Sequence, residues 1–431
     1  MKLFDSLSRL PKFLPDNKLI TIYICGPTLY DQLHLGNLRP IITFDFLIRY
    51  LKSRGISYYY IQNLTDIDEK ILKKAFNTGE SVKNLTSRYY NSFLDILKNL
   101  NVVLPSNFPS VSENIEEIQR VTECLISTGA AYWDRNSQTV KFNQVEKDDN
   151  LNYFYSSEAT SLEEADFALW KENKLSSFNY DSPWFKGIPG WHIECFAMIQ
   201  RYFELPITIH GGGVDLKFPH HENENLLCRS LFKKELAETW VHVGQVLNEE
   251  GKLSKSSNLQ FSIEECAGAY SWTFLRYIFL KSKYHKPITI TKSLLEEYWG
   301  EWKSFVSSLN YAEALLVNER ASPWFKRVEI TSPEHEFLKS IEDNLNLPET
   351  LSWLEGVKKK LLQSLKNRQL GEIEAYSASL RYHLSWLGFE LPSLKSEQVE
   401  KTKEWLNLVE KEEYVSADIL RSKLQEEGIL P

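Results

Sequence analysis

The sequence predicts an α/β fold: a Rossmann-like parallel sheet, interrupted by an insertion and followed by a helical bundle. Three observations carry this expectation. The run LITIYI (19–24) is short, apolar and β-branched, as a buried strand should be. A helical pattern and a second strand-like run, SYYYIQ (57–62), follow within about 45 residues, the length of a βαβ unit. From about residue 294 onward the pattern is helical and rich in Leu, Trp, Lys and Glu.

The elements can be justified in order. After the first strand, Ile41, Phe44, Ile48 and Leu51 recur at helical spacing, Pro40 suits the first turn, and Gly55 is a stop signal. In such sheets ligands sit beyond the carboxyl ends of the strands. Cys25 with the loop 26–37 lies there, and so does NLTDID (63–68) after the second strand. Leu85, Tyr89, Phe93 and Leu97 mark a helix over 80–100. Residues 105–185 are more polar and irregular and are expected to be an insertion. Strand character returns at LPITIH (205–210).

With 431 residues and 42% hydrophobic content, the chain can form two or three domains with real cores. No apolar run approaches a membrane span, and the N-terminus lacks the apolar centre of a signal peptide. Five scattered cysteines argue for a reducing cytoplasm rather than a disulfide framework, and Cys124, Cys228 and Cys266 are expected to be core filler. A net charge of −8 gives no hint of nucleic acid but leaves room for a local basic face.

Four loops carry chemistry. His34, Gly36 and Asn37 open a helix, whose free N–H groups and partial positive charge attract phosphate, while histidine can donate where negative charge builds up. The loop GKLSKSS (251–257) holds Lys252 and Lys255 among small residues, suited to clamping a triphosphate; a solvated surface loop is the plainer alternative. In IHGGGVD (209–215), Gly212 and its neighbours allow close backbone approach and Asp215 can accept from ribose hydroxyls; a tight glycine turn is the alternative. Last, Cys25, the WHIEC segment ending at Cys195, and FPHHENE (218–224) offer thiols, imidazoles and a carboxylate. Cys, Cys, His and Glu together suit zinc. Spacing alone leaves open the choice between His220 and His221 and a part for His192. Ordinary buried cysteines beside a helix-capping histidine pair would look the same.

Taken together and in this order, the segments YICGPTLYDQLHLGN, NLTDIDEKI, PGWHIEC, HGGGVDLKFPHHENE and EEGKLSKSSN resemble the cysteinyl-tRNA synthetases, a family of class I aminoacyl-tRNA synthetases. His34 to Asn37 resembles that class's HIGH motif and Lys252 to Ser256 its KMSKS motif. The likeness is strong through residue 280 and weaker beyond. Two positions depart from the pattern: Asn37 replaces the second histidine of HIGH, and Leu253 the methionine of KMSKS.

The resemblance implies an enzyme that activates L-cysteine with ATP and Mg2+ and transfers it to the 3′ end of tRNA(Cys). It implies one zinc per chain, held by Cys25, Cys195, His220 and Glu224, that binds the substrate thiolate. Metal coordination favours thiolate, and serine's hydroxyl is a poor match, so no editing domain is expected. His34, Asn37, Lys252 and Lys255 would be catalytic. Gly36, Gly212, Asp215 and Lys255 would bind ATP. Gly26, Thr65, Trp191 and His210 would bind cysteine. The expected division is 1–104 and 186–245 for the two catalytic halves, 105–185 for the connective insertion, 246–293 for the KMSKS loop and stem-contact region, 294–390 for the bundle and 391–431 for a short anticodon-binding module. Lys358, Lys359, Lys360, Lys366 and Arg368 are a candidate phosphate-binding stripe, or a solvated helix face. A cytoplasmic monomer without membrane contact is expected. The nearest rival is a ligase joining cysteine to an amino-sugar on the same core; the D-x-x-R segment at Asp418 favours tRNA. A catalytically silent relative is the other rival, with Asn37 as its support.

Overall fold

A computed structural model describes residues 1–15, 18–143, 153–154, 166–174, 178–248, 251–252, 262–320, 329–391 and 393–431, with backbone only at 251–252 and 318–320. Leu253 and Lys255 lie outside the described residues.

The N-terminal hairpin β1 (Lys2–Asp5) and β2 (Leu10–Phe13) leads into β3 (Ile20–Ile24), α1 (Leu35–Ser53) and β4 (Tyr58–Gln62). Then come α2 (Glu69–Thr78), α3 (Val82–Asn99), α4 (Ile115–Ser127), β5 (Ala131–Asp134), β6 (Thr139–Phe142), β7 (Ala168–Lys171) and β8 (Ile188–Pro189). The chain returns through α5 (Trp191–Tyr202), β9 (Ile207–Gly213), α6 (Glu222–Phe232) and β10 (Ala237–Val243). A small sheet follows, of β11 (Val246–Asn248), β12 (Gly251–Lys252) and β13 (Ile288–Thr289), with α7 (Ile263–Ala269) and α8 (Trp272–Ile278) between the last two strands. The rest is helical: α9 (Lys292–Arg320), α10 (His335–Glu342), α11 (Leu347–Lys366), α12 (Leu370–Trp386), α13 (Ser396–Glu410) and α14 (Tyr414–Glu426).

The central sheet is parallel throughout, in the order β10-β9-β3-β4. Both of its faces are covered, which is why LITIYI reads as a continuous apolar run. Ile20, Ile22 and Ile24 face one core, shared with α1 and the C-terminal helices. Tyr23 and Ile61 face a second core, filled by α4, α5 and β5 to β8. Ile24 lies opposite both Gln62 and Gly211, so Cys25, Asn63 and Gly212 all emerge at one sheet edge.

Two expectations change. Pro40 is not in the first turn of α1: the helix begins at Leu35, and Pro40 sits inside it. It is tolerated because the carbonyl it would have served belongs to Gly36, at the helix mouth, where little of the ladder is lost. The stretch 105–185 is more regular than its polar composition suggests. Its strands β5 to β7 form an antiparallel sheet with β8, and its helix α4 packs on α5. Among the cysteines expected to be core filler, Cys228 and Cys266 are buried but Cys124 is only half-buried.

A buried ion pair ties α8 to α1, and through Leu387 to the C-terminal helices. Arg276 of α8 and Asp45 of α1 are hydrogen-bonded and have fully buried side chains. Arg276 also donates to the carbonyls of Leu100 (2.9 Å) and Leu387 (3.1 Å), and Asp45 accepts from Arg49 (2.8 Å) and from Val103 N–H (2.7 Å). Removing one partner of such a pair strands the other's charge. Asp45→Ala should therefore lose about 3–5 kcal/mol in urea denaturation; a loss below about 1 kcal/mol, the size of a surface pair, would show that the pair does not hold these helices together.

Candidate active site

The carboxyl edge of the sheet opens into a cavity of about 710 Å³. Its wall includes Cys25, Gly26, His34, Gly36, Asn37, Trp191 and Asp215, seven of the residues singled out from sequence.

At one end lies the mouth of α1. His34 is the N-cap, and its Nδ1 accepts from Gly36 N–H at 3.1 Å. An accepting Nδ1 leaves the ring proton on Nε2, so that nitrogen is a donor. Asn37 Oδ1 accepts from His34 N–H at 3.0 Å and completes a capping box. The side chain that departs from the HIGH pattern thus has a local task, which is to close the first turn. Lys70 also lines the cavity, as do Tyr30, Gln62 and the segment 243–246. Sequence reasoning missed these, although Lys70 stands two residues after the NLTDID segment and was within reach.

At the other end is a dense polar knot. Cys25 Sγ lies 3.7 Å from Cys195 Sγ, 3.9 Å from Glu224 Oε1 and 3.3 Å from His221 Nε2. Glu224 is fully buried; its Oε1 is 2.9 Å from His220 Nε2 and its Oε2 is 2.7 Å from His210 Nε2. His221 Nδ1 meets His242 Nε2 at 2.7 Å, and His242 Nδ1 meets Ser6 Oγ at 2.8 Å. His192 and His220 face each other through their Nδ1 atoms at 3.1 Å. Trp191, 40% exposed at the start of α5, stacks on His220 with ring centroids 4.4 Å apart. A π turn, Lys217–His221, precedes α6 and carries both histidines.

The charge states follow from burial and neighbours. Burial raises the Cys25 thiol well above its ordinary range, and Cys195 and Glu224 add to this. Burial would also raise Cys195, but hydrogen bonds to Cys25 and His220 outweigh it and hold that thiol low. Burial works against a charged His220, yet Glu224 and Cys195 overcome it and raise its pKa. Glu224 is kept well below the carboxylate range because the His220 and His210 charges outweigh burial. His192 is pushed down to about 3 by burial and by His220. Burial likewise keeps His221 neutral, with help from His210.

These donors fit a zinc ion. Ligand atoms of Cys25, His220, His221 and Glu224 all lie within 4.8 Å of one another. Cys195 is not in that quartet, but its sulfur is 3.7 Å from Cys25. Two thiolates on one tetrahedral zinc, at bonds of about 2.3 Å, stand about 3.7 Å apart. Five donors therefore converge where sequence suggested four, and His221 is the addition.

The remaining expected residues lie behind the wall or beyond description. Thr65 is buried behind the cavity, its N–H bonded to Pro27 O at 3.2 Å and its carbonyl to Leu29 N–H at 3.0 Å. His210 is fully buried, and Gly212 backs onto the His221 ring. Lys252 lies on β12, paired with Leu247, and its side chain is not described.

Two glycines are required by close approach. A Cβ on Gly26 would sit 1.7 Å from Asn63 O, and one on Gly211 would sit 2.3 Å from Val241 O and 2.5 Å from Phe44.

Residues 13–299 match the family model described as tRNA synthetases class I (C) catalytic domain. The chain is 33% identical over 449 residues to a cysteine--tRNA ligase of Mycoplasma mycoides subsp. mycoides SC, covering all of both chains. It is 33% identical over 456 residues to a cysteine--tRNA ligase of Francisella tularensis, covering all of this chain and 96% of that one. Among solved structures, a Mycobacterium tuberculosis methionyl-tRNA synthetase bound by methionyl-adenylate aligns with a TM-score of 0.56 at 12% identity, over 91% of this chain and 85% of that one. At that identity the likeness concerns the fold alone.

Because the Gly26 contact is with backbone, Gly26→Ala should cost about 1–3 kcal/mol by overpacking. A thermal midpoint lowered by several degrees is the expected result, and an unchanged midpoint would show that the loop has room to spare.

Proposed function

The chain belongs to the cysteine--tRNA ligase family of class I tRNA synthetases, and from that premise we propose how its residues divide the work. It activates L-cysteine with ATP and transfers it to the 3′ end of tRNA(Cys). In the first step an oxygen of the cysteine carboxylate bonds to the α-phosphorus of ATP and pyrophosphate leaves. That carboxylate is already ionised at neutral pH, so no general base is needed. In the second step a terminal ribose hydroxyl of the tRNA attacks the carbonyl carbon of cysteinyl-adenylate, and AMP leaves.

The single observation that carries the residue assignment is the shared cavity, with the mouth of α1 at one end and the sulfur-rich knot at the other. We assign ATP, with its Mg2+, to the first end. His34 donates through Nε2, the first turn of α1 adds its partial positive charge, and Asn37 holds that turn closed. Gly36 and Asp215 border the nucleoside with Gly212 behind them, and Lys252 and Lys255 serve the phosphates. The work is positioning and electrostatics throughout.

We assign the cysteine side chain to the second end. Zinc, when bound there, holds the substrate sulfur as thiolate. Cys25, Cys195, His220 and Glu224 are the proposed ligands, supported by the spacing of the two sulfurs and by the carboxylate gripped between two imidazoles. His221, held by His242, orients Cys25 from behind. Gly26 and Trp191 border the amino acid, while Thr65 and His210 support it from beneath. A shape-only pocket separates groups this alike by roughly a hundredfold, so sulfur selection has to come from the ligand set.

We further propose that 1–104 and 186–245 are the catalytic halves, 105–185 the connective insertion, 246–293 the stem-contact region, 294–390 the bundle and 391–431 the anticodon-reading module. Asn310 Nδ2, which donates to Gly428 O at 3.0 Å, supports a docked C-terminal hairpin. No helix among the described residues is long and apolar enough to cross a membrane. A monomer in a reducing cytoplasm fits the free thiols.

Two outcomes test this reading. Cysteine-dependent pyrophosphate exchange should exceed the serine-dependent rate by well over about a hundredfold; equal rates would end the thiolate assignment. Metal analysis after dialysis should find about one zinc per chain. Cys195→Ala should remove most of it and His221→Asn should retain it, and the reverse pattern would exchange Cys195 for His221 in the ligand set.

A further inference from the structure

The nucleotide end of the cavity is walled by two segments far apart in sequence. One is the start of α1, with His34, Gly36 and Asn37; the other is the link 243–246 between β10 and β11. A single buried side chain joins them. Arg39 of α1 is only 1% exposed. Its Nη1 donates to Gly244 O (2.8 Å) and Gln245 O (3.0 Å), and its Nη2 to Ser282 Oγ (2.8 Å) and Lys283 O (3.1 Å). The two segments it reaches are already tied to each other, because Gly244 N–H donates to Tyr284 O at 2.8 Å and Ile288 N–H to Gln245 O at 3.0 Å. Arg39 therefore docks a preassembled unit onto α1. Directly beyond Gln245 the chain enters β11, whose Leu247 pairs with Lys252 on β12. Farther along, Ser262 forms a backbone bridge with His34.

We propose that Arg39 is a positioning residue for ATP, setting the distance between the first turn of α1 and the hairpin that carries Lys252. It acts through the Gly244–Gln245 wall and touches no substrate. Its four bonds are to neutral oxygens, so they fix geometry rather than neutralise charge. The guanidinium reaches both pairs of acceptors because it is a rigid fork; a lysine ammonium is a single point and cannot span them. The cysteine end rests on β3, α5 and residues 217–224, whereas the four Arg39 side-chain hydrogen bonds go to Gly244, Gln245, Ser282 and Lys283. Loss of the fork should therefore weaken ATP and spare cysteine. The inference rests on the reading that the His34 end holds ATP.

The test is Arg39→Lys in cysteine-dependent pyrophosphate exchange. KM for ATP should rise about tenfold, equivalent to ~1.4 kcal/mol, the loss of one or two net hydrogen bonds. KM for cysteine should stay within about twofold, as it does when no bond at that end is lost. A parallel rise in both constants, as general loosening would give, or no rise in either, overturns the proposal. Should Arg39→Lys fail to fold, Ser282→Ala removes one acceptor and should raise KM for ATP about twofold, with cysteine unchanged; no rise there overturns it as well. His34→Ala separates the two levels. If it raises KM for ATP and Arg39→Lys does not, only the role of Arg39 falls; if it leaves KM for ATP unchanged, the assignment of that end to ATP falls, and Arg39's role with it.

Discussion

A carboxylate with no access to water sits at the centre of this molecule. Glu224 is fully buried between His210 on β9 and His220 in the π turn before α6. An unpaired charge there would cost several kcal/mol, so the fold has to deliver two imidazoles to it. Doing so fixes the approach of α6 to the sheet edge, and Cys25 at the end of β3 falls within 3.9 Å of the same carboxylate. Trp240 on β10 stacks on the far side of His210, with centroids 4.7 Å apart, and Trp191 covers His220. Two imidazoles, each stacked on a tryptophan, thus depend on one acid.

Sheet register turns this knot into half of an active site. Because β3 pairs with β4 and β9 in parallel, all three strands release their chains at the same edge. Cys25 N–H still bonds Gly211 O at 3.2 Å, so the first residue of the loop remains part of the sheet. Nine residues later the same loop delivers His34 to the mouth of α1. The chain therefore spans from the sulfur-rich knot to the mouth of α1 without leaving the edge, and on the proposed assignment the loop length sets the distance that one cysteinyl-adenylate must bridge.

Much of this was legible in the sequence, because it rests on local signals. The βαβ unit at its start, the loop after Cys25 and the glycine string before Asp215 follow from strand, cap and turn chemistry that neighbouring residues dictate. Those signals place residues at an edge; they do not say which way a side chain points. Hence Thr65 and His210 read as cavity wall and stand behind it, while Lys70 stands in it unannounced. His221 and His220 are adjacent and chemically equal, and only the third dimension shows that both reach the knot, each held from behind by another histidine. Arg39 stands in α1 two residues after the HLGN motif, with no local signal that marks it. Its partners are some 205 and 243 positions away, a separation at which no local pattern operates. The insertion misled for the opposite reason: its strands are short and polar on one side, so their composition resembled loop.

The most direct measurement of thiolate selection at the Cys25 end is optical. Zinc replaced by cobalt reports sulfur ligation through charge-transfer absorption in the near ultraviolet. Titrating L-cysteine into the cobalt-loaded protein should add intensity to that band in proportion to one new sulfur ligand, while L-serine at the same concentrations leaves the spectrum as it was. A spectrum that cysteine does not change, or that serine changes equally, would contradict selection by a metal–thiolate bond at this site.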